Sequence, residues 1–144
     1  MKPDVSVTVT TADWSRDESQ LRSIRETVFV HEQKVPVALE WDGLDPDCQH
    51  VIAWTSDGQA VATGRLLPDG HIGRLAVLEA WRRHGIGSQV LQALIELAKF
   101  RGIETCALNA QTHALSFYER HGFVAKGEEF DEAGIPHRHM VLKR

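Results

Sequence analysis

The chain has 144 residues, 42% of them hydrophobic and 25% charged, the proportions of one globular domain, residues 1–144, with a core of its own. Sixteen Lys and Arg stand against 20 Asp and Glu, and the formal net charge of −4 excludes a basic surface for coating nucleic acid. No window approaches the roughly 18 to 20 apolar residues of a membrane-spanning helix, and Met1-Lys2-Pro3-Asp4 opens no signal-peptide core, so a cytoplasmic protein with no nucleic-acid and no membrane partner is expected.

In chain order, Val5, Val7 and Val9 alternate with Ser6, Thr8 and Thr10, which predicts a half-buried first strand. Ser15 with Glu18 three residues on has the form of a capping box, and Leu21, Ile24 and Val28 at helical spacing carry a helix to about Val30. Lys34-Val35-Pro36 ends it, because proline disfavours helix at the preceding residue. Positions 31 to 47 are irregular and acidic, with Glu32, Glu40, Asp42, Asp45 and Asp47. Such a stretch is either a solvated face or the wall of a site for a basic, polyamine-like molecule, with Trp41 as part of that wall. Cys48 and Cys106 form no Cys-x-x-Cys pair and read as reduced, structural thiols.

Three strands follow, Val51 to Thr55, Ala60 to Leu67 and His71 to Leu78, separated by Ser56-Asp57-Gly58 and Pro68-Asp69-Gly70. These turn signals predict an antiparallel meander. The third strand runs into Arg82-Arg83-His84-Gly85-Ile86-Gly87, and a helix runs out with Ile86, Val90, Leu94 and Ala98 on one face. Lys99, Arg101 and Gly102 close that helix. Ile103 to Leu108 is then a strand parallel to the one before the loop. Ala114 to Arg120 reads as a short helix, and Phe123 to Ala125 and His139 to Leu142 as the last strands.

The glycine loop is the chemical centre of the sequence. A helix start carries unpaired N–H groups and the positive end of the macrodipole, and glycines there let a phosphate come close. Arg82 and Arg83 add charge. The loop lacks the Lys-Ser/Thr of a P-loop and the first glycine of the dinucleotide fingerprint, and taken alone it is equally a surface strand-to-helix turn.

The pattern Arg82-x-x-Gly85-x-Gly87 between an apolar strand and a long helix resembles the acyl-CoA pyrophosphate loop of the GNAT-type N-acetyltransferases. Downstream, Ala114-Leu115-Ser116-Phe117-Tyr118-Glu119-Arg120-His121-Gly122-Phe123 resembles the helix and turn that close these domains. The pieces Val28-Phe29-Val30-x-Glu32-Gln33, Glu40-x-Asp42-x-x-Asp45 and Gly134-Ile135-Pro136-His137 are similar to a bacterial ElaA-like subgroup, which has no agreed substrate.

The resemblance implies an α/β, three-layer GNAT-like fold, with a mixed, mostly antiparallel sheet of about seven strands flanked by helices and a parallel pair splayed at the cofactor site. It implies acetyl-CoA (coenzyme A) as donor, held by backbone of Leu75, Ala76 and Val77, by the loop Arg82, Arg83, His84, Gly85, Ile86, Gly87 and Ser88, and by Asn109 and Phe117. Tyr118 would be the general acid beside the sulfur. Phe29, Glu40 and His137 would face the acceptor, a small-molecule or peptide amine. Glu32, Glu40, His50, His71 and His137 are all candidate bases, and a water chain could serve instead. His137 and His139 alternate as two metal ligands would, but no third ligand has diagnostic spacing, and no metal is expected. The expected function is acetyl transfer from acetyl-CoA to a primary amine by direct attack in a ternary complex. The alternative is a non-catalytic acyl-CoA-binding sensor or subunit, which would not need the hydroxyl of Tyr118. Exposed edge strands fit a homodimer.

Overall fold

The computed structural model describes residues 6–143, so Val5 of the expected first strand lies outside the described residues. Among these, the elements run β1 (Val7–Ala12), α1 (Trp14–Arg25), α2 (Val37–Glu40), β2 (Gln49–Thr55), β3 (Ala60–Leu66), β4 (Ile72–Val77), α3 (Ile86–Phe100), β5 (Thr105–Gln111), α4 (Leu115–Glu119), β6 (Val124–Glu132) and β7 (Ile135–Lys143). Strands β1 to β4 form the expected antiparallel meander, and β5, β7 and β6 form a second antiparallel sheet in that spatial order. No helix of the described residues is long and apolar enough to cross a membrane.

The two sheets meet at one point. The carbonyl of Gly70 accepts a hydrogen bond from the amide of Ala107 at 3.1 Å, and His71 pairs with Ala107 in parallel. Beyond that vertex β4 and β5 belong to separate sheets and their facing edges diverge. This is the expected splayed parallel pair. Gly70 is suited to the vertex because its φ is +99° and an added Cβ would collide with the carbonyl of Thr105.

Helices cover both faces of the meander. Ile86, Val90, Leu91, Leu94, Ile95 and Ala98 of α3 are buried in the main core, each branched or long side chain contributing about 1.5–3 kcal/mol. The approach is so close that a Cβ on Gly64 of β3 would lie 2.7 Å from Leu94 Cδ1. Arg65, next along β3, points to the opposite face, where α1 lies. There Leu21 and Ile24 are buried.

Two local structures differ from expectation. Helix α1 is capped by Asp13, whose carboxylate accepts from the amides of Ser15 and Arg16, and not by Ser15. The carboxylate of Asp17 answers by accepting from the amide of Asp13 at 3.0 Å, while Glu18 pairs with Arg22 one turn on. Second, the helix does not simply fade near Val30. It widens into a π-helical segment, Glu26–Glu32, closed by the amide of Gln33 on the carbonyl of Val28 at 3.0 Å. Single π segments are frequent at functional sites. Lys34, with φ of 62°, then turns the chain out of the helix.

The last two strands are far longer than their sequence pattern indicated. They form a hairpin with Glu132 paired to Ile135 and only Ala133 and Gly134 between them. Both turn residues have positive φ, 55° and 76°, as a type I′ turn demands.

Candidate active site

The divergence of β4 and β5 opens a cleft of about 630 Å³. One wall carries Leu75 of β4 with Phe29 of the π segment and Gln33, which caps it; the other carries Asn109 and Gln111 of β5 with Phe117 and Tyr118 of α4. Glu40 and Arg74 line one margin, Glu132 and His137 of the hairpin the other. Phe29 and Gln33 are four positions apart and so lie on one face of the chain, toward the cleft. Gln33 is joined across the cleft to β5, where Gln111 Nε2 donates to its Oε1 at 2.8 Å.

At the Phe117 end stands the start of α3. Gly85 is its N-cap, in the left-handed region at φ 77°, and no side chain caps the helix. The N–H groups of Ile86, Gly87 and Ser88 therefore face outward without a capping acceptor. A Cβ on Gly85 would meet nothing within 4 Å, whereas one on Gly87 would lie 3.6 Å from the Phe117 ring, which ties the loop to the cleft. Ile86 itself is core, so only its backbone is offered. Ser88 Oγ lies 3.1 Å from His121 Nε2. Arg83 is exposed and His84 half-buried.

Arg82 behaves differently from a free cation at the loop mouth. Its guanidinium grips Glu32 through two contacts at 2.6 and 2.7 Å, and its Nε donates to the carbonyl of Val77 at 2.8 Å. Arg82 thus braces the end of β4 against the π segment. On β4, Ala76 is buried against Ile24, Val28 and Phe29, and Val77 packs on the main core. Neither residue is among those that line the cleft.

The acidic stretch is neither a solvated face nor an anionic wall. Glu40 and Asp45 are 2% and 3% exposed. Arg25 Nε lies 2.8 Å from Glu40 Oε2 and its Nη1 2.6 Å from Asp45 Oδ1. Arg65 binds Asp42 at 2.5 Å and Asp45 at 3.0 Å. Arg74, held at φ 51° where β4 bulges against β3, lies 3.2 Å from both Glu40 and Asp42. Three guanidiniums thus balance three carboxylates, and the expected attraction for a polyamine is absent here. Burial alone would raise the Asp42 carboxyl, but the Arg65 hydrogen bond and the amide of Leu44 hold it at about 2. Trp41 does not line the cleft; it lies under the guanidiniums of Arg22 and Arg25, 4.5 and 4.8 Å from its centroid.

Tyr118 packs edge-on to Phe117 and Phe123, with centroids 5.0 and 6.0 Å apart. Burial pushes its phenol up to about 12, which keeps the hydroxyl protonated across the working pH range. On the hairpin side, His139 Nδ1 lies 3.1 Å from Asn109 Oδ1, and Asn109 Nδ2 donates to Glu132 Oε1 at 3.3 Å. Glu132 Oε2 is 3.6 Å from Nε2 of His137, which stacks on Phe130. Asn109 therefore faces a carboxylate. Among the described residues no group of three His, Cys, Asp or Glu is placed to hold a metal ion.

Of the residues singled out in the sequence, Phe29, Glu40, Leu75, Asn109, Phe117, Tyr118 and His137 converge on the cleft, and Arg82 to Ser88 do not line it, although Gly87 at the start of α3 lies beside Phe117. Glu132, Gln33, Gln111 and Arg74 also line the cleft. Gln33 belongs to the Val28-to-Gln33 piece but was given no role there, no local motif marked Gln111 or Arg74, and the Gly134-to-His137 piece sits just beside Glu132.

A split between parallel strands, with a glycine-bearing helix start at one end and a phenol inside, defines the class of acyl-CoA N-acyltransferases. The family model of the acetyltransferase (GNAT) domain matches residues 12–144, and the chain belongs to that family. An uncharacterized N-acetyltransferase of Bacillus subtilis, YjcF, is 37% identical over 134 residues, covering 88% of this chain and 95% of its own. The crystal structure of an acyl-CoA N-acyltransferase from Pseudomonas aeruginosa superposes with a TM-score of 0.83 at 35% identity, over 95% of this chain and 99% of that one. Escherichia coli ElaA gives 0.85 at 30% identity, over 94% and 99%, in keeping with the ElaA-like subgroup.

Proposed function

We propose that the protein is an acetyl-CoA-dependent N-acetyltransferase that moves the acetyl group directly to a primary amine of a small molecule or peptide. The observation that carries this reading is the place of Phe117, which lines the cleft beside Tyr118 and lies 3.6 Å from where a Cβ on Gly87, at the uncapped start of α3, would stand. Amides from Arg83 to Ser88 hold the pyrophosphate of the donor, a fit favoured by the helix dipole and by the open space over Gly85. Backbone of Leu75 to Val77, on the strand edge freed by the split, binds the pantetheine arm and the thioester oxygen. Such an N–H also stabilises the oxyanion that forms when the amine attacks.

The nitrogen–carbon bond forms, the carbon–sulfur bond breaks, and Tyr118 gives its proton to the departing sulfur. Its elevated pKa suits a group that must arrive protonated. Direct transfer is favoured over an acyl-enzyme because both cysteines are buried and neither lines the cleft. Burial also pushes the Cys48 thiol up, away from the thiolate a nucleophile needs.

Calorimetric titration with acetyl-CoA tests the reading, with Gly85→Glu as the control that sets a side chain and a negative charge over the helix start. Binding by the native chain that weakens about tenfold or more in the variant supports it. A folded native chain that does not bind acetyl-CoA refutes it.

A further inference from the structure

A protonated amine cannot attack a thioester, so a base must take its proton, and the surroundings of the five candidates differ. Glu32 is held by Arg82. Glu40 is fixed by Arg25 and Arg74. His50 is 1% exposed, stacked on Trp14 outside the cleft, with Nε2 on the carbonyl of Asp45. His71 sits at the vertex of the split beside Asp69.

His137 stands in the cleft, on the strand beside β5, where Gln111 pairs directly with it. Leu75 and His137 both line the cleft. The Nδ1 atom of His137 lies 2.6 Å from the carbonyl of Ile135. A carbonyl only accepts, so Nδ1 carries the hydrogen and Nε2 keeps the lone pair. Nε2 lies 3.6 Å from Oε2 of Glu132. His139 orients the Asn109 amide, and Asn109 in turn holds Glu132. Glu132 is also the one carboxylate lining the cleft that no arginine pairs with among the described residues.

Resting on the acetyltransferase reading above, we propose that His137 is the general base, with Glu132 drawing the ammonium into the cleft and Asn109 and His139 as positioning residues. The proton passes from the ammonium nitrogen to Nε2 and on to solvent, while the amine attacks the thioester carbon and Tyr118 protonates the sulfur. The other titratable groups facing this space are His71 from the β3–β4 turn, His113 after β5, Tyr118 from α4, and the mutually paired ions around Arg74 on the opposite margin.

The test is steady-state acetylation of two amine probes, phenethylamine and spermidine, beside acetyl-CoA titrations of each variant. His137→Gln should lower kcat about 100-fold or more with KM for acetyl-CoA changed by less than about twofold. His137→Ala should regain activity when imidazole is added, a rescue that a purely structural role would not give. Glu132→Gln should lower kcat about tenfold, with partial recovery in Glu132→Asp. A folded His137→Gln within about threefold of native kcat, or no imidazole rescue in a His137→Ala that still binds acetyl-CoA, overturns the assignment. If the native chain neither binds acetyl-CoA nor acetylates either amine, the acetyltransferase reading falls, and the base with it.

Discussion

Replacing Arg25 by Met removes the centre of the buried ion cluster while keeping the side chain's bulk beside Trp14 and Trp41, 5.9 and 4.8 Å from the guanidinium. Removing one partner of a buried pair typically costs about 3–5 kcal/mol, because the other charge is left uncompensated. Here the orphaned carboxylates each keep a second guanidinium: Arg74 lies 3.2 Å from Glu40, and Arg65 lies 3.0 Å from Asp45. The cluster goes from neutral to a single excess negative charge, so the loss belongs at the low end, about 3 kcal/mol. With a urea slope of about 1–3 kcal/mol per molar, the unfolding midpoint should fall by about 1–3 M. Adding Glu40→Gln should recover about 1 kcal/mol or more by removing the excess charge, a coupling that a double-mutant cycle measures. A loss under about 1 kcal/mol, or a double variant no more stable than Arg25→Met, would show that Arg65 and Arg74 alone satisfy the carboxylates and would refute the argument.

Tyr118→Phe should lower kcat about tenfold or more while leaving acetyl-CoA affinity intact, since a thiolate is already a fair leaving group; unchanged kcat would favour a binding module over an enzyme. The alkaline limb owed to Tyr118 should lie near pH 12 in the native chain's rate profile. Because Asp42 is depressed from 3.8 to about 2 in the fold, its stabilising contribution is present above pH 4 and lost as pH falls through about 2. Asp42→Asn should flatten that part of the stability curve followed by urea unfolding, and an unchanged acid limb would remove Asp42 as its source. Gly70→Ala adds both left-handed strain and a collision with Thr105 at the vertex of the split, and should cost about 3 kcal/mol or more; full stability in a thermal melt would mean the sheets can shift apart there freely.

The parts of the fold legible in the sequence were those written locally. The periodicity of α3, the Asp-Gly turns of the meander and the glycine loop each act over a few residues, and each formed where the pattern indicated. Helix α1 hid its cap because Asp13 and Ser15 are both good caps, and only the backbone geometry chooses between them. The π segment left no trace, since Thr27, Val28 and Val30 read equally as ordinary helix. The β6–β7 hairpin escaped because Ala133-Gly134 is not among the strong turn dipeptides, and an alanine held at φ 55° is paid for by the pairing on either side. The arginine cluster joins positions 15 or more apart, such as Arg25 with Glu40 and Arg65 with Asp42, beyond what periodicity can report.

The same distinction separates the two ends of the cleft. The proposed phosphate end is a motif, contained in one strand-to-helix turn. The hairpin end is a matter of register: His137 faces the cleft because β7 pairs Gln111 with it, and Glu132 reaches it because the turn between β6 and β7 is two residues long. A slip of one residue in β7 would carry His137 to the other face of the sheet and leave the composition of the chain unchanged. The length of the β6–β7 turn and the bulge between Lys126 and Phe130 that sets its register are therefore as much part of the proposed base as the imidazole is.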